Sequence, residues 1–326
     1  MHPTIRSLLS PVSQGSALSP EQARRLASLL PEHLPDVLAL GRLSASAAGA
    51  EPFLCGIINA KSGRCAENCA FCTQSAHHTT DSPVYPLVAR DALVARAVEL
   101  AGAGARYMGI VVSGTAPSGK DFERLCEEAQ SIRAASGIRL CASLGLLHGD
   151  QAHALKQAGF SSYHHNLETA RSYYPAVCGT HDQEKREDTV RLAKTAGLRV
   201  CSGGIFGMGE SPDQRLELAW ALADLDVDSI PVNFLNPIRG TPLQDMSTLP
   251  PGEALGIVAL LRLMHPARDI VICGGRSATL GGWENMLFSA GANGLMIGNY
   301  LTTKGSPYES DLSMLAVLGI RPGRNA

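Results

Sequence analysis

The chain has 326 residues, 45% of them hydrophobic and 18% charged, and a formal net charge of −2. That near-neutral balance argues against a nucleic-acid or anionic-membrane partner held by charge, and no apolar run approaches the ~20 residues that span a bilayer. The opening Met1-His-Pro-Thr-Ile-Arg6 lacks the apolar stretch of a secretory signal, so the nine cysteines point to a cytoplasmic protein that uses thiols for metal ligation rather than disulfides.

The first element is a helix announced by Ser19-Pro20-Glu21-Gln22, with serine as cap, proline at the first helical position and glutamine three past the cap. Residues 1–45 are expected to form a helical extension covering the N-terminal mouth of a single domain, residues 46–326. Residues 53–60 read as the first strand, followed by a cysteine-rich loop. A unit then repeats, in which a helical pattern ends in a small residue plus glycine and leads into an apolar strand. Ala101-Gly102 precedes 106–112, Ser136-Gly137 precedes 138–142, and Ala158-Gly159 precedes 160–164. Further on, Ala196-Gly197 precedes 198–202 and Ala290-Gly291 precedes 294–297. Glycine just past a helix end takes the left-handed conformation that other residues resist. With 228–233 and 270–273 the strands number eight. Alternating strands and helices at this length predict an α/β fold, a (β/α)8 TIM barrel, with a doubly wound open sheet as the alternative. Barrel enzymes carry their active sites at the C-terminal ends of the strands, where the cysteine loop falls.

That loop runs Lys61-Ser-Gly-Arg-Cys-Ala-Glu-Asn-Cys-Ala-Phe-Cys-Thr73. Cys65, Cys69 and Cys72 are spaced C-x3-C-x2-C, so three thiolates can hold three corners of a 4Fe–4S cluster and leave the fourth iron open to a small molecule. Zinc is the alternative, since His77 or His78 could complete a four-ligand set. The common ferredoxin run C-x2-C-x2-C is absent. With Phe71 directly before Cys72, the motif resembles that of radical S-adenosylmethionine (SAM) enzymes, which implies SAM on the open iron.

Three later strands end alike, in Ile138-Arg-Leu-Cys141, Leu198-Arg-Val-Cys201 and Ile270-Val-Ile-Cys273. Alternate barrel strands share a layer of inward side chains, so Cys141, Cys201 and Cys273 could converge on a second iron–sulfur cluster, with the Arg276 guanidinium beside it. Singly, each cysteine could be a buried small hydrophobe. Cys55 reads as core packing, and Cys126 and Cys178 as incidental.

With these residues assembled, the chain resembles the biotin synthase family. The resemblance rests on residues 62–75, Tyr163-His-His-Asn-Leu-Glu168, residues 200–210, Ser229-Ile-Pro-Val-Asn233, Gly240-Thr-Pro-Leu243, Gly274-Gly-Arg276, Ala290-Gly-Ala-Asn293 and Leu301-Thr-Thr303. It implies a barrel that converts dethiobiotin to biotin, with a 4Fe–4S cluster on Cys65, Cys69 and Cys72, and with SAM as cofactor. It also implies an auxiliary cluster, 2Fe–2S or larger, as the sulfur source. By position, Glu168 would meet the SAM ribose, Arg186 the SAM carboxylate and Ile205 the adenine. Asn166, also expected among the cofactor-binding residues, and Asn233 would meet the ureido ring of dethiobiotin, and Thr302 and Thr303 its carboxylate; the alternatives are bonding to strand-end backbone for the asparagines and helix capping for the threonines. Implied partners are a flavodoxin or ferredoxin electron donor, iron–sulfur assembly machinery and a second copy in a homodimer.

One departure stands out. The family's usual strand-two cluster cysteine falls at Met108 by this matching, and Cys273 stands where a serine is usual, so the auxiliary cluster is expected on Cys141, Cys201 and Cys273 near Arg276. Competing functions are another radical SAM enzyme acting on an amino acid or peptide, an iron–sulfur electron carrier or sensor, and a zinc-dependent barrel hydrolase.

Overall fold

The structure, a computed structural model, describes residues 1–323. Nine strands form one sheet: β1 (Phe53–Lys61), β2 (Ala105–Val112), β3 (Arg139–Ser143), β4 (Ser162–His164), β5 (Arg199–Cys201), β6 (Gly204–Phe206), β7 (Ser229–Phe234), β8 (Asp269–Ile272) and β9 (Gly294–Met296). Every pairing between them is parallel. β1 pairs with both β2 and β9, which closes the sheet. β5 and β6 both pair with β7 and are split only by Ser202-Gly203, so together they fill one position in a ring of eight. The expected barrel is the fold found, and each anticipated strand is present.

Period-two alternation sorts the side chains. On β2, Met108 and Ile110 are buried in the layer between barrel and helices, whereas Tyr107, Gly109 and Val111 line the interior cavity. Met108 therefore points away from the cavity, and the strand-two residue in register with Cys55 is Tyr107, one residue earlier. Successive strand residues face opposite sides, so a one-residue offset in matching moves a side chain from the interior to the helix layer.

The helices carry the start and stop signals expected of them. Helix Gly119–Ser136 is capped by Ser118, whose Oγ accepts from Asp121 N at 3.2 Å, and ends at Gly137 with φ 67°. Helix Pro212–Asp224 opens with a reciprocal capping box between Ser211 and Gln214.

The N-terminal extension comprises helices Pro3–Ser13 and Pro20–Ala47, the second opening with the Ser19–Gln22 capping box. It bends at His33, between Pro31 and Pro35, where proline removes helical hydrogen bonds. The extension packs against helices Pro251–Met264 and Met286–Ser289, with Leu18 N donating to Leu263 O at 3.0 Å. Helix Pro251–Met264 is consequently buried along almost its whole length. Among the described residues no helix is long and apolar enough to cross a membrane.

Candidate active site

A cavity of about 450 Å³ runs through the barrel interior. At its mouth lies the loop after β1, where Gly63 (φ 85°) and Arg64 (φ 53°) turn the chain back. Cys65 N donates to Gln74 O at 2.9 Å and Ala76 N to Cys65 O at 2.7 Å, closing the loop on itself. The Gln74 side chain accepts from Ser62 Oγ and Gly63 N at 3.2 and 3.1 Å. Cys65, Cys69 and Cys72 all line the cavity. His77 and His78 do not join them: their Nε2 atoms sit 2.9 Å from Ala66 O and 3.0 Å from Cys69 O. A zinc set completed by either histidine finds no support in that arrangement.

Deeper in the cavity stand Cys141, Cys201 and Cys273, on β3, on β5 and just past β8. The structure adds a fourth thiol. Cys55 on β1 also lines the cavity, packs in one apolar cluster with Cys273, and interacts electrostatically with Cys141, Cys201 and Cys273. Burial pushes Cys55 up to about 12 and Cys141 up to about 11. It also drives Cys201 and Cys273 well above the usual thiol range, and like-charge neighbours add to the effect. At the loop, burial raises Cys65 and Cys69 and brings Cys72 to about 11. All nine cysteines are free. His164 Nδ1 lies 3.4 Å from Cys201 Sγ, and burial, aided by Arg186, pushes this imidazole down to about 4, so it is neutral at pH 7.

Between the two thiol groups stands a polar wall. Helix Gln183–Thr195 delivers Arg186, which is buried. It donates through Nε to Tyr174 Oη at 2.6 Å and through Nη1 to Asn166 O at 3.1 Å and Glu168 Oε1 at 3.3 Å. Its Nη2 points to Cys69 Sγ at 3.9 Å. Glu168 also accepts from Asn166 Nδ2 at 3.3 Å, and Asn166 Oδ1 accepts from Gly203 N at 3.2 Å. Burial raises the Glu168 carboxyl against the pull of Arg186.

Ile205, on β6, presents an apolar side chain to the cavity. The turn after it is held by Glu210, whose carboxylate accepts from Gly207 N and Met208 N, both at 2.8 Å, and pairs with Arg215. Asn233, at the end of β7, accepts from Gly274 N at 2.9 Å and donates to Gly204 O at 3.2 Å. Thr302 and Thr303 line the cavity in a bend rather than at a helix start, and Thr302 Oγ1 lies 2.9 Å from Thr73 Oγ1 on the cysteine loop.

Arg276 acts electrostatically on the Cys273 thiol, but its hydrogen bonds go to other groups. Fully buried, it makes a two-pronged bond to Asp311 at 2.7 Å, reaches Tyr300 Oη at 3.1 Å and approaches Glu284 at 3.4 Å. Its guanidinium is committed to two carboxylates and a phenol, and only Tyr300 of these partners lines the cavity.

Sequence reasoning passed over Cys55, whose signal was its odd-numbered phase with Phe53 and Ile57 on β1. It also dismissed Cys178, which lies 3.7 Å from Cys69, sulfur to sulfur. Only the fold brings that pair together.

Comparison with known proteins agrees with this geometry. Residues 60–220 match the radical SAM superfamily and residues 231–321 the biotin and thiamin synthesis associated domain. A biotin synthase of Nitratidesulfovibrio vulgaris (strain DP4) is 57% identical over 92% of this chain and 84% of its own. One from Geobacter sulfurreducens is 51% identical over 96% of each. In fold alone, the crystal structure of methylornithine synthase (PylB) superposes with a TM-score of 0.84, at 22% identity over 97% of each chain. With this identity sustained across both matched regions, the chain belongs to the biotin synthase family of radical SAM enzymes.

Proposed function

We propose that the protein converts dethiobiotin to biotin by inserting sulfur between two saturated carbons. The observation that carries this reading is one cavity with three thiols at its mouth and four more in its depth. Radical SAM enzymes use a 4Fe–4S cluster and SAM, and the loop thiols suit that cluster. Thiols kept neutral by burial become good ligands once a metal displaces their protons. The four interior cysteines, Cys55, Cys141, Cys201 and Cys273, make an all-cysteine set of the kind that holds 2Fe–2S or 4Fe–4S units. Arg276, bound to Asp311, is then a structural neighbour and not a ligand. When bound, these groups supply a 5′-deoxyadenosyl radical at the mouth and sulfur in the depth.

The chain's own residues bind and orient the reactants. Arg186 keeps its charge and aims one guanidinium edge at the cluster loop, suited to the SAM carboxylate. Glu168 offers oxygens to the SAM ribose, and Ile205 gives the adenine an apolar floor. Asn166 and Asn233 each spend one donor and one acceptor on neighbouring groups, which leaves one of each for the cyclic urea of dethiobiotin. Thr302 and Thr303 stand at the mouth, suited to its carboxylate. The enclosing barrel keeps water and stray hydrogen donors from a reactive carbon radical.

A flavodoxin or ferredoxin would supply the electron, iron–sulfur assembly machinery would fill and refill the clusters, and a homodimer in the cytoplasm is the expected working form. The test is anaerobic reconstitution with iron and sulfide, then incubation with SAM, dithionite and dethiobiotin. Biotin accompanied by 5′-deoxyadenosine is expected. Deoxyadenosine without biotin would overturn the substrate, and neither product from a fully loaded protein would overturn the reaction.

A further inference from the structure

Beside the cysteine loop lies a group of donors that biotin formation does not use. We infer that Glu67, Cys178 and His181 form a mononuclear site for a divalent metal of the zinc or iron(II) class. Glu67 comes from the loop itself, between Cys65 and Cys69. Cys178 follows the short helix Tyr174–Val177, and His181 is three residues on. Glu67 Oε2 lies 2.8 Å from His181 Nδ1, Cys178 Sγ lies 3.3 Å from the same nitrogen, and all three donor atoms fall within 4.8 Å of one another. Cys178 and His181 are buried and Glu67 is half-buried.

Three features make this more than a chance meeting of side chains. First, the two segments are locked together without any metal: Asn68 Oδ1 accepts from Gly179 N at 2.9 Å and Thr180 N at 3.2 Å, and Ala70 N donates to Val177 O at 2.8 Å. Second, the Glu67 carboxylate and the Cys178 thiol both lie against His181 Nδ1, so three donor atoms of the kinds a dication takes already face one point. Third, the other ring nitrogen is already oriented. His181 Nε2 lies 3.0 Å from Tyr174 Oη, which accepts from Arg186 Nε; metal-bound histidines are held by such partners through their second nitrogen.

The charges balance. One carboxylate, one thiolate and a neutral imidazole cancel a dication, and the Cys178 proton leaves to solvent as the Sγ–metal bond forms. The imidazole proton then resides on Nε2 and donates to Tyr174. A mixed sulfur, nitrogen and oxygen set suits zinc or iron(II) and not magnesium or calcium, which take oxygen ligands. A metal here would tie the 177–181 segment to the loop that carries Cys65, Cys69 and Cys72.

The experiment uses the reconstituted protein dialysed anaerobically against Zn2+, with zinc measured by elemental analysis and its surroundings by X-ray absorption. About one zinc per chain is expected beyond the cluster iron, with one sulfur near ~2.3 Å and nitrogen or oxygen near ~2.0 Å. Cys178→Ser and His181→Gln should each weaken binding by roughly tenfold or more, while Cys126→Ser leaves it unchanged. Two or more sulfur neighbours would place the zinc on cluster thiols and overturn the site, as would undiminished binding in Cys178→Ser. Each variant is compared at matched iron content; if His181→Gln does not fold, Cys178→Ala takes its place.

Discussion

Glu168 holds its backbone at φ 70°, a left-handed conformation that costs a residue with a side chain roughly 1–2 kcal/mol. The strain positions two sets of bonds at once. The main chain brackets β6, with Ile205 N donating to Glu168 O at 2.8 Å and Glu168 N to Gly203 O at 3.2 Å, while the carboxylate meets Arg186. Both side chains of this pair are about nine-tenths buried, so removing one strands a charge. Glu168→Ala is therefore expected to lower the stability of the cluster-free protein by about 3 kcal/mol, read from its urea unfolding curve. Glu168→Gly loses the same ion pair but relaxes the backbone, and should lose about 1 kcal/mol less. Equal losses in the two variants would mean that the turn stores no strain. At this scale the sequence was readable where chemistry is local. Cys65, Cys69 and Cys72 announce themselves because their spacing is their geometry. Cys55 and Cys178 do not, because their partners lie far along the chain and only strand register or loop docking brings them near.

Among the elements, helix Pro20–Ala47 shows how one glycine decides a docking. A Cβ on Gly41 would lie 2.3 Å from Ala290 O and 3.3 Å from Ala259 Cα, so two backbones approach where no side chain fits. Glycine inside a helix costs about 1 kcal/mol in propensity, and forcing extra atoms into a packed contact costs about 1–3 kcal/mol. Valine recovers little of the propensity and adds the most bulk, so Gly41→Val is expected to destabilise by about 2–3 kcal/mol. Calorimetry checks this, and an unchanged melting temperature would mean that the extension is not docked through Gly41. The helix itself was legible from its Ser19 cap. Its partners, helices Pro251–Met264 and Met286–Ser289, were not, because an amphipathic face says that something covers it without saying what. The strands were legible from glycines that end the preceding helices, yet the split between β5 and β6 and the outward turn of Met108 depend on pairing register. Arg276 acts on Cys273, as its position after β8 suggests, but its main partner was hidden for a related reason: Asp311 comes from the C-terminal helix Tyr308–Val317.

In the whole molecule the two thiol groups constrain the chain very differently. Cys65, Cys69 and Cys72 belong to one short loop, so a cluster on them closes only a few residues of chain. Cys55, Cys141, Cys201 and Cys273 come from β1, β3, β5 and the end of β8, and a cluster on them would cross-link strands around the whole ring. The entropy removed from the unfolded chain grows with the length of chain enclosed, and a metal bound only by the folded state adds its binding energy to stability. Reconstitution should therefore raise the melting temperature chiefly through the interior site. A variant with Cys65, Cys69 and Cys72 all changed to alanine is expected to keep most of that rise and to retain the interior iron. Cys55→Ser and Cys273→Ser are each expected to lose most of the rise together with that iron. A rise that followed the loop cysteines instead, or full interior iron in Cys55→Ser, would remove Cys55 from the ligand set and reopen how a barrel with Tyr107 facing inward on its second strand holds the sulfur it inserts.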